Sequence, residues 1–142
     1  MYKKIILPTD GSGYSEDEVE RATSLIDDDG EIIVLSVAKK ITSSAFQSRS
    51  NVKKVNDKLF RDAELSIKKM KGLFDDEVNV TTKVVVGFPA EEIIKVASEE
   101  NADLIVISAS GKSGIHKFFI GSVAEKVLKS SDIDVLLVRN NE

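Results

Sequence analysis

The turn Ser108-Ala109-Ser110-Gly111-Lys112-Ser113-Gly114 follows directly on the apolar run 104–107, and Gly121-Ser122 then opens an amphipathic stretch. Glycines off the end of a strand let main-chain N–H groups approach an anion with no Cβ in the way. A helix beginning beside them adds a favourable dipole. Residue types in this arrangement suit phosphate, so a nucleotide is the expected ligand. Lys112 is either a point charge on that phosphate or a solvated surface lysine. Ser122 offers a hydroxyl and an N–H to the ligand, or is a plain first-turn serine. A P-loop is excluded, because that motif needs a glycine five residues before Gly111 and Val106 stands there.

A second group sits near the start of the chain, where Pro8-Thr9-Asp10 closes the short apolar run 4–7. Asp10 can accept from ribose hydroxyls or an adenine amino group, or hold a metal. Its alternative role is to cap the turn that follows it. In open parallel sheets ligands lie outside the carboxyl ends of the strands, where the strand order reverses. If the first and fourth strands are neighbours there, Pro8-Thr9-Asp10 faces the turn at 108–114 across one crevice.

The elements that must place these groups read as an alternation of strands and helices. Ser15 and Glu18 have capping-box spacing, and Val19, Ala22, Leu25 and Ile26 recur at helical period. Asp27-Asp28-Asp29-Gly30 is expected to end that helix, with Gly30 as a left-handed cap. A continuous apolar strand follows at 32–37. Val52, Val55, Leu59, Ala63, Ile67, Met70 and Phe74 trace one stripe of a long helix. Val78, Val80, Thr82, Val84 and Val86 alternate with more polar residues, as in a less covered strand. Pro89 stands where a helix can start, and Ile93, Ile94, Val96 and Ala97 give it a buried side. Val123, Ala124, Val127 and Leu128 line the last helix before the fifth strand, Val135-Leu136-Leu137-Val138.

The order is βαβαβαβαβ, which predicts an α/β fold: one parallel sheet with helices on both faces and a single domain over residues 1–142. The polar, serine-rich segment 38–51, from Ala38 to Asn51, has no periodicity and reads as a disordered loop or as a lid over a site.

Composition narrows the function classes. The chain of 142 residues has a net charge of -4 and no cysteine. Disulfides, thiol catalysis and cysteine-based metal sites are thereby excluded. An acidic balance argues against nucleic acid and acidic membranes as partners. Lys53, Lys54, Lys58, Lys68, Lys69 and Lys71 alternate with Asp57, Asp62 and Glu64 as on a solvated helix face. No signal peptide or membrane span is read before the first strand, so a cytoplasmic protein is expected. His116 lies between the glycines with no partner base in the pattern, and no paired carboxylates or Ser-His-Asp arrangement is visible. The chain is therefore expected not to be an enzyme. A response-regulator receiver would need an acceptor Asp after the third strand, where Val86-Gly87-Phe88 stands.

The spacing resembles the ATP-binding branch of the universal stress protein family, whose signature is Gly-x2-Gly-x9-Gly-[Ser/Thr]. Here Gly111, nine intervening residues and Gly121-Ser122 match its second part, while Ser108 stands at the first glycine. The resemblance extends to Ile5-Ile6-Leu7-Pro8-Thr9-Asp10-Gly11-Ser12, to Gly87-Phe88-Pro89-Ala90-Glu91-Glu92-Ile93 and to Ala102-Asp103-Leu104-Ile105-Val106-Ile107. It implies the strand order 3-2-1-4-5. It also implies ATP, and a triphosphate in such a cradle usually brings Mg²⁺ with it. The nucleotide would contact Pro8, Thr9 and Asp10, meet Val37 through the adenine, and lie along Ser108, Gly111, Lys112, Ser113 and Gly114. Gly121, Ser122 and Val123 would give amides to the phosphates. The resemblance further implies a homodimer through the fifth strands, a regulatory role toward an unknown protein partner, and at most slow ATP hydrolysis. The alternative at Ser108 is a nucleotide-free dimeric scaffold, because a Cβ at that turn can obstruct the ligand.

Overall fold

Nine elements alternate along the chain in the computed structural model, which describes residues 1–11, 15–41, 48–109 and 120–139. They are β1 (Tyr2–Pro8), α1 (Ser15–Leu25), β2 (Ile26–Ala38), α2 (Arg49–Lys71), β3 (Val80–Val86), α3 (Pro89–Glu99), β4 (Leu104–Ser108), α4 (Ser122–Ser130) and β5 (Asp134–Val138). The strands form one sheet in the order β3-β2-β1-β4-β5, with every pairing parallel. Apolar strands of this kind must be covered on both faces, since parallel crossovers lay their helices over the sheet.

Alternation along each strand divides the core in two. Ile6, Ile33, Leu35, Ile105 and Ile107 pack with Ile93 and Val96 of α3 and Ala124 and Val127 of α4. Ile5, Leu7, Ile32, Val34, Leu104 and Val106 face the other way, against Val19 and Ala22 of α1 and Met70 of α2. Neighbours in sequence thus serve opposite layers. The edge strand β3 is only partly covered, as its mixed pattern predicts, with Thr81, Thr82 and Val86 exposed.

Two boundaries differ from the sequence reading. Gly30 does not end α1 in a left-handed conformation; it lies inside β2, which begins four residues earlier at Ile26. The acidic run can be extended because Lys3 sits between Asp27 and Asp29, at 2.6 and 2.7 Å, while Tyr2 takes Ile26 as its register partner. Glycine is needed at position 30 for closeness, since a Cβ there would lie 2.8 Å from the Lys3 carbonyl oxygen and from Ile26. The helical stripe ends before Phe74, because Gly72 caps α2 after Lys71. The polar segment after β2 is shorter than the range 38–51. Ala38 still belongs to the strand, and Ser48 caps α2 by accepting from the Asn51 N–H at 3.2 Å. Asn56 holds the near end, donating to the Ile41 carbonyl and accepting from its N–H. Residues 42–47, on which the choice between lid and disorder turns, lie outside the described residues.

Candidate functional site

The strand order reverses between β1 and β4, and the carboxyl ends of β1, β2 and β4 form the edge of a crevice there. Thr9, just past β1, continues the ladder by donating its N–H to the Leu35 carbonyl at 2.8 Å. Its hydroxyl accepts from the Gly11 N–H at 3.1 Å and so closes a small turn. Gly11 has φ +82°, and a Cβ on it would lie 2.6 Å from Ser66 Oγ of α2. The turn is therefore tight and backed by a helix, which fixes where Asp10 emerges. Asp10 is exposed at the mouth of the crevice.

Val37 presents its backbone at this edge of the sheet. Leu35 directs its carbonyl to the β1 side, and residues two apart in a strand point their main-chain groups the same way. Val37 therefore points its N–H and carbonyl to that side too. There β1 has already left register, Pro8 being paired with Leu35. The Val37 side chain packs into the core below. Donor and acceptor groups of this kind, side by side on a strand edge, can read the rim of a planar heterocycle.

Across the reversal, the Ala109 N–H donates to the Val138 carbonyl at 2.8 Å, and the Ala109 carbonyl accepts from the Gly121 N–H at 2.7 Å. The second bond pins the start of α4 to the end of β4. Gly121 is the N-cap, with φ -61° and ψ 155°, and it places no side-chain cap over the first turn. The N–H groups of a first helical turn have no acceptors within the helix. In α4 they face the crevice edge with the positive end of the dipole. Ser122 is exposed there, and Val123 anchors the turn in the core.

Ser108 ends β4, and its hydroxyl is hydrogen-bonded to the carboxyl of Glu18. Glu18 was not expected in the site; its spacing to Ser15 suggests a cap. It instead turns inward and is only 3% exposed. Burial pushes its carboxyl up to about 8, helped by the negative charge of Asp10 and more weakly by Asp17, while the Ser108 hydrogen bond acts the other way. The signal that could have found it is the i, i+4, i+7 series Glu18, Ala22, Leu25, which puts the acid on the buried side of α1.

Pro8, Thr9, Asp10, Val37, Ser108, Gly121, Ser122 and Val123 thus share one edge of the sheet. Gly111, Lys112, Ser113, Gly114 and His116 lie outside the described residues. Among the described residues no group of three or more His, Cys, Asp or Glu is placed to hold a metal ion. A Mg²⁺ bound to polyphosphate needs only one or two protein carboxylates beside its waters, which Asp10 at the mouth can supply.

Residues 1–139 match the universal stress protein family. The chain is 31% identical over 141 residues to universal stress protein MJ0531 of Methanocaldococcus jannaschii, covering 98% of this chain and 83% of that protein. Its fold superposes on that of protein MJ0577, also of Methanocaldococcus jannaschii, with a TM-score of 0.80, 30% identity and coverage of 100% and 99% of the two chains. It is also similar to a universal stress protein solved in complex with cAMP, with a TM-score of 0.60, 26% identity and coverage of 99% and 98%.

Proposed function

This chain belongs to the universal stress protein family, and from that premise we propose that it is a nucleotide-binding regulatory protein, one such domain over residues 1–142, that takes ATP. The observation that carries the reading is the first turn of α4, capped by a glycine and tied to Ala109 at 2.7 Å beside the β1–β4 reversal. Main-chain amides at that point suit a phosphate chain. Val37 would meet the adenine with its main chain, and Thr9 and Asp10 would lie along the ribose and the metal-bearing phosphates. Pro8 would wall the crevice beside them. Ser108, Gly111, Lys112, Ser113 and Gly114 would follow the nucleotide on the β4 side, with Gly121, Ser122 and Val123 at the phosphates. A relative of similar fold binds cAMP, which supports an adenine nucleotide as the ligand class.

The role assigned is regulatory rather than catalytic. Nucleotide occupancy would control the surface that this edge of the sheet presents to a protein partner. The open edge of β5, Val135-Leu136-Leu137-Val138, would pair with its copy in a homodimer. No helix among the described residues is long and apolar enough to cross a membrane, and the cytoplasm is the proposed setting.

Calorimetric titration of nucleotide-free protein with Mg-ATP, with AMP and cAMP as comparisons, tests the reading. Binding tighter than about 1 mM, or beyond roughly -4 kcal/mol, and weaker for AMP, is the expected result. Absence of heat for all three nucleotides at two temperatures would instead identify a nucleotide-free dimeric scaffold.

A further inference from the structure

Helix α2 differs in charge from the molecule that carries it. Eight of its 23 residues are basic and three are acidic, whereas the whole chain has 20 basic residues against 24 acidic ones. The structure sorts these charges by face. Ala63 and Met70 are buried and mark the side toward the sheet. On the opposite side Lys54, Lys58, Arg61, Leu65 and Lys68 are all exposed, and they follow one another at spacings of four, three, four and three residues. At 3.6 residues per turn, that spacing keeps them in one stripe. Asp57 and Glu64 stand along one flank of it, and no acid interrupts it. Leu65, between Arg61 and Lys68, is 64% exposed.

Little within the chain occupies these groups. Lys58 lies 3.5 Å from Asp62, with both side chains largely in water, so the contact is weak. Among the described residues Lys54, Arg61 and Lys68 make no ion pair. The helix itself is firmly held. Ser48 caps its start, Asn56 exchanges two hydrogen bonds with Ile41, and the Gly72 N–H donates to the Lys68 carbonyl at its end. A face carried on such an element loses little freedom when a partner docks.

The stripe also defines what fits it. Four cations around one leucine match carboxylates arranged around an apolar residue. The backbone of a nucleic acid offers nothing apolar to Leu65, and a polyanion longer than the stripe would run onto an acidic molecule. From residue 54 to residue 68 the stripe covers about 21 Å, or about four turns. Alternate spacings of four and three are the seam along which two helices pack. We propose that the outer face of α2 is the docking surface for an acidic amphipathic helix of a protein partner. Its carboxylates meet Lys54, Lys58, Arg61 and Lys68, and one apolar side chain covers Leu65. This surface is independent of the nucleotide reading of the crevice.

The probe is a synthetic helical peptide of about four turns, with glutamates set to face the four cations and a leucine to face Leu65. It is titrated by fluorescence anisotropy into nucleotide-free protein. Saturable binding is expected, weakened about tenfold by Lys54→Glu/Arg61→Glu and about threefold by Lys54→Gln/Arg61→Gln, which removes the charges without reversing them. Leu65→Ala should cost about fivefold, and raising salt from about 0.05 M to about 0.5 M about tenfold. No saturable binding, wild-type affinity in the charge variants, or equal binding of a peptide with glutamine for glutamate would overturn the proposal. Tighter binding of a single-stranded oligonucleotide or of phosphatidylserine vesicles than of the peptide would overturn it in favour of nucleic acid or membrane. Loss of self-association by Lys54→Glu/Arg61→Glu in sedimentation velocity would overturn it in favour of a second copy of this chain.

Discussion

Replacing Glu18 by Gln should stabilise the protein, by an amount that grows with pH. The amide keeps the volume and can still hydrogen-bond Ser108, but it has no charge to bury. The native carboxyl is raised from 4.5 to about 8, so between those values the folded state binds a proton that the unfolded chain has released. Stability from this group is fully present below pH 4.5 and declines as pH rises through about 8. At about 1.4 kcal/mol per pH unit, the decline reaches ~3 kcal/mol at neutral pH and levels off near ~5 kcal/mol. Glu18→Gln removes it. Urea unfolding of both proteins at about pH 5, 7 and 9 should therefore show a gap that widens from below ~1 kcal/mol to ~5 kcal/mol. A gap independent of pH, or a variant less stable than wild type at about pH 9, would refute the buried-acid argument.

Two further substitutions probe the turn beside the crevice and the open edge of β5. Gly11→Ala forces a Cβ into φ +82° and to within 2.6 Å of Ser66 Oγ, and should cost about 1–2 kcal/mol in urea unfolding. Combining it with Ser66→Ala should recover only part of that loss, because the backbone conformation stays unfavourable; full recovery would contradict the role given to φ. At the other edge of the sheet, Leu136 and Val138 direct their main chains toward β4, which leaves the Leu137 N–H facing outward. Leu137→Pro removes that donor where an edge strand tolerates proline, and should turn the proposed homodimer into a folded monomer in sedimentation velocity. A variant that remains dimeric would place the interface elsewhere.

Much of the architecture was legible because strands and helices write different periods into the chain. The apolar runs 4–7 and 104–107 could only be covered strands, and Pro89 marked the start of α3 as its missing donor requires. Gly30 was misread for a physical reason. An acidic run ending in glycine imitates a helix stop, and only the approach of Lys3, distant in sequence, turns it into strand. The same limit applies at Glu18. Its spacing to Ser15 satisfies a local rule, whereas burial against Ser108 is a tertiary fact that the faint helical series with Ala22 and Leu25 only hints at. Val37 shows a third case: its side chain reads as core and is core, and the part proposed for it comes from backbone direction past the end of β1. Pro8, Asp10 and Gly121 could be singled out from sequence as candidates because turn residues and helix caps carry their chemistry in their type.

The measurement that bears most directly on the central claim is a backbone amide NMR titration of the nucleotide-free protein with Mg-ATP. The account predicts saturable shifts at Gly121, Ser122 and Val123, at Thr9 and Asp10, and at Val37, three stretches far apart in sequence that meet at one sheet edge. Shifts confined to other surfaces, or none at millimolar Mg-ATP, would contradict it.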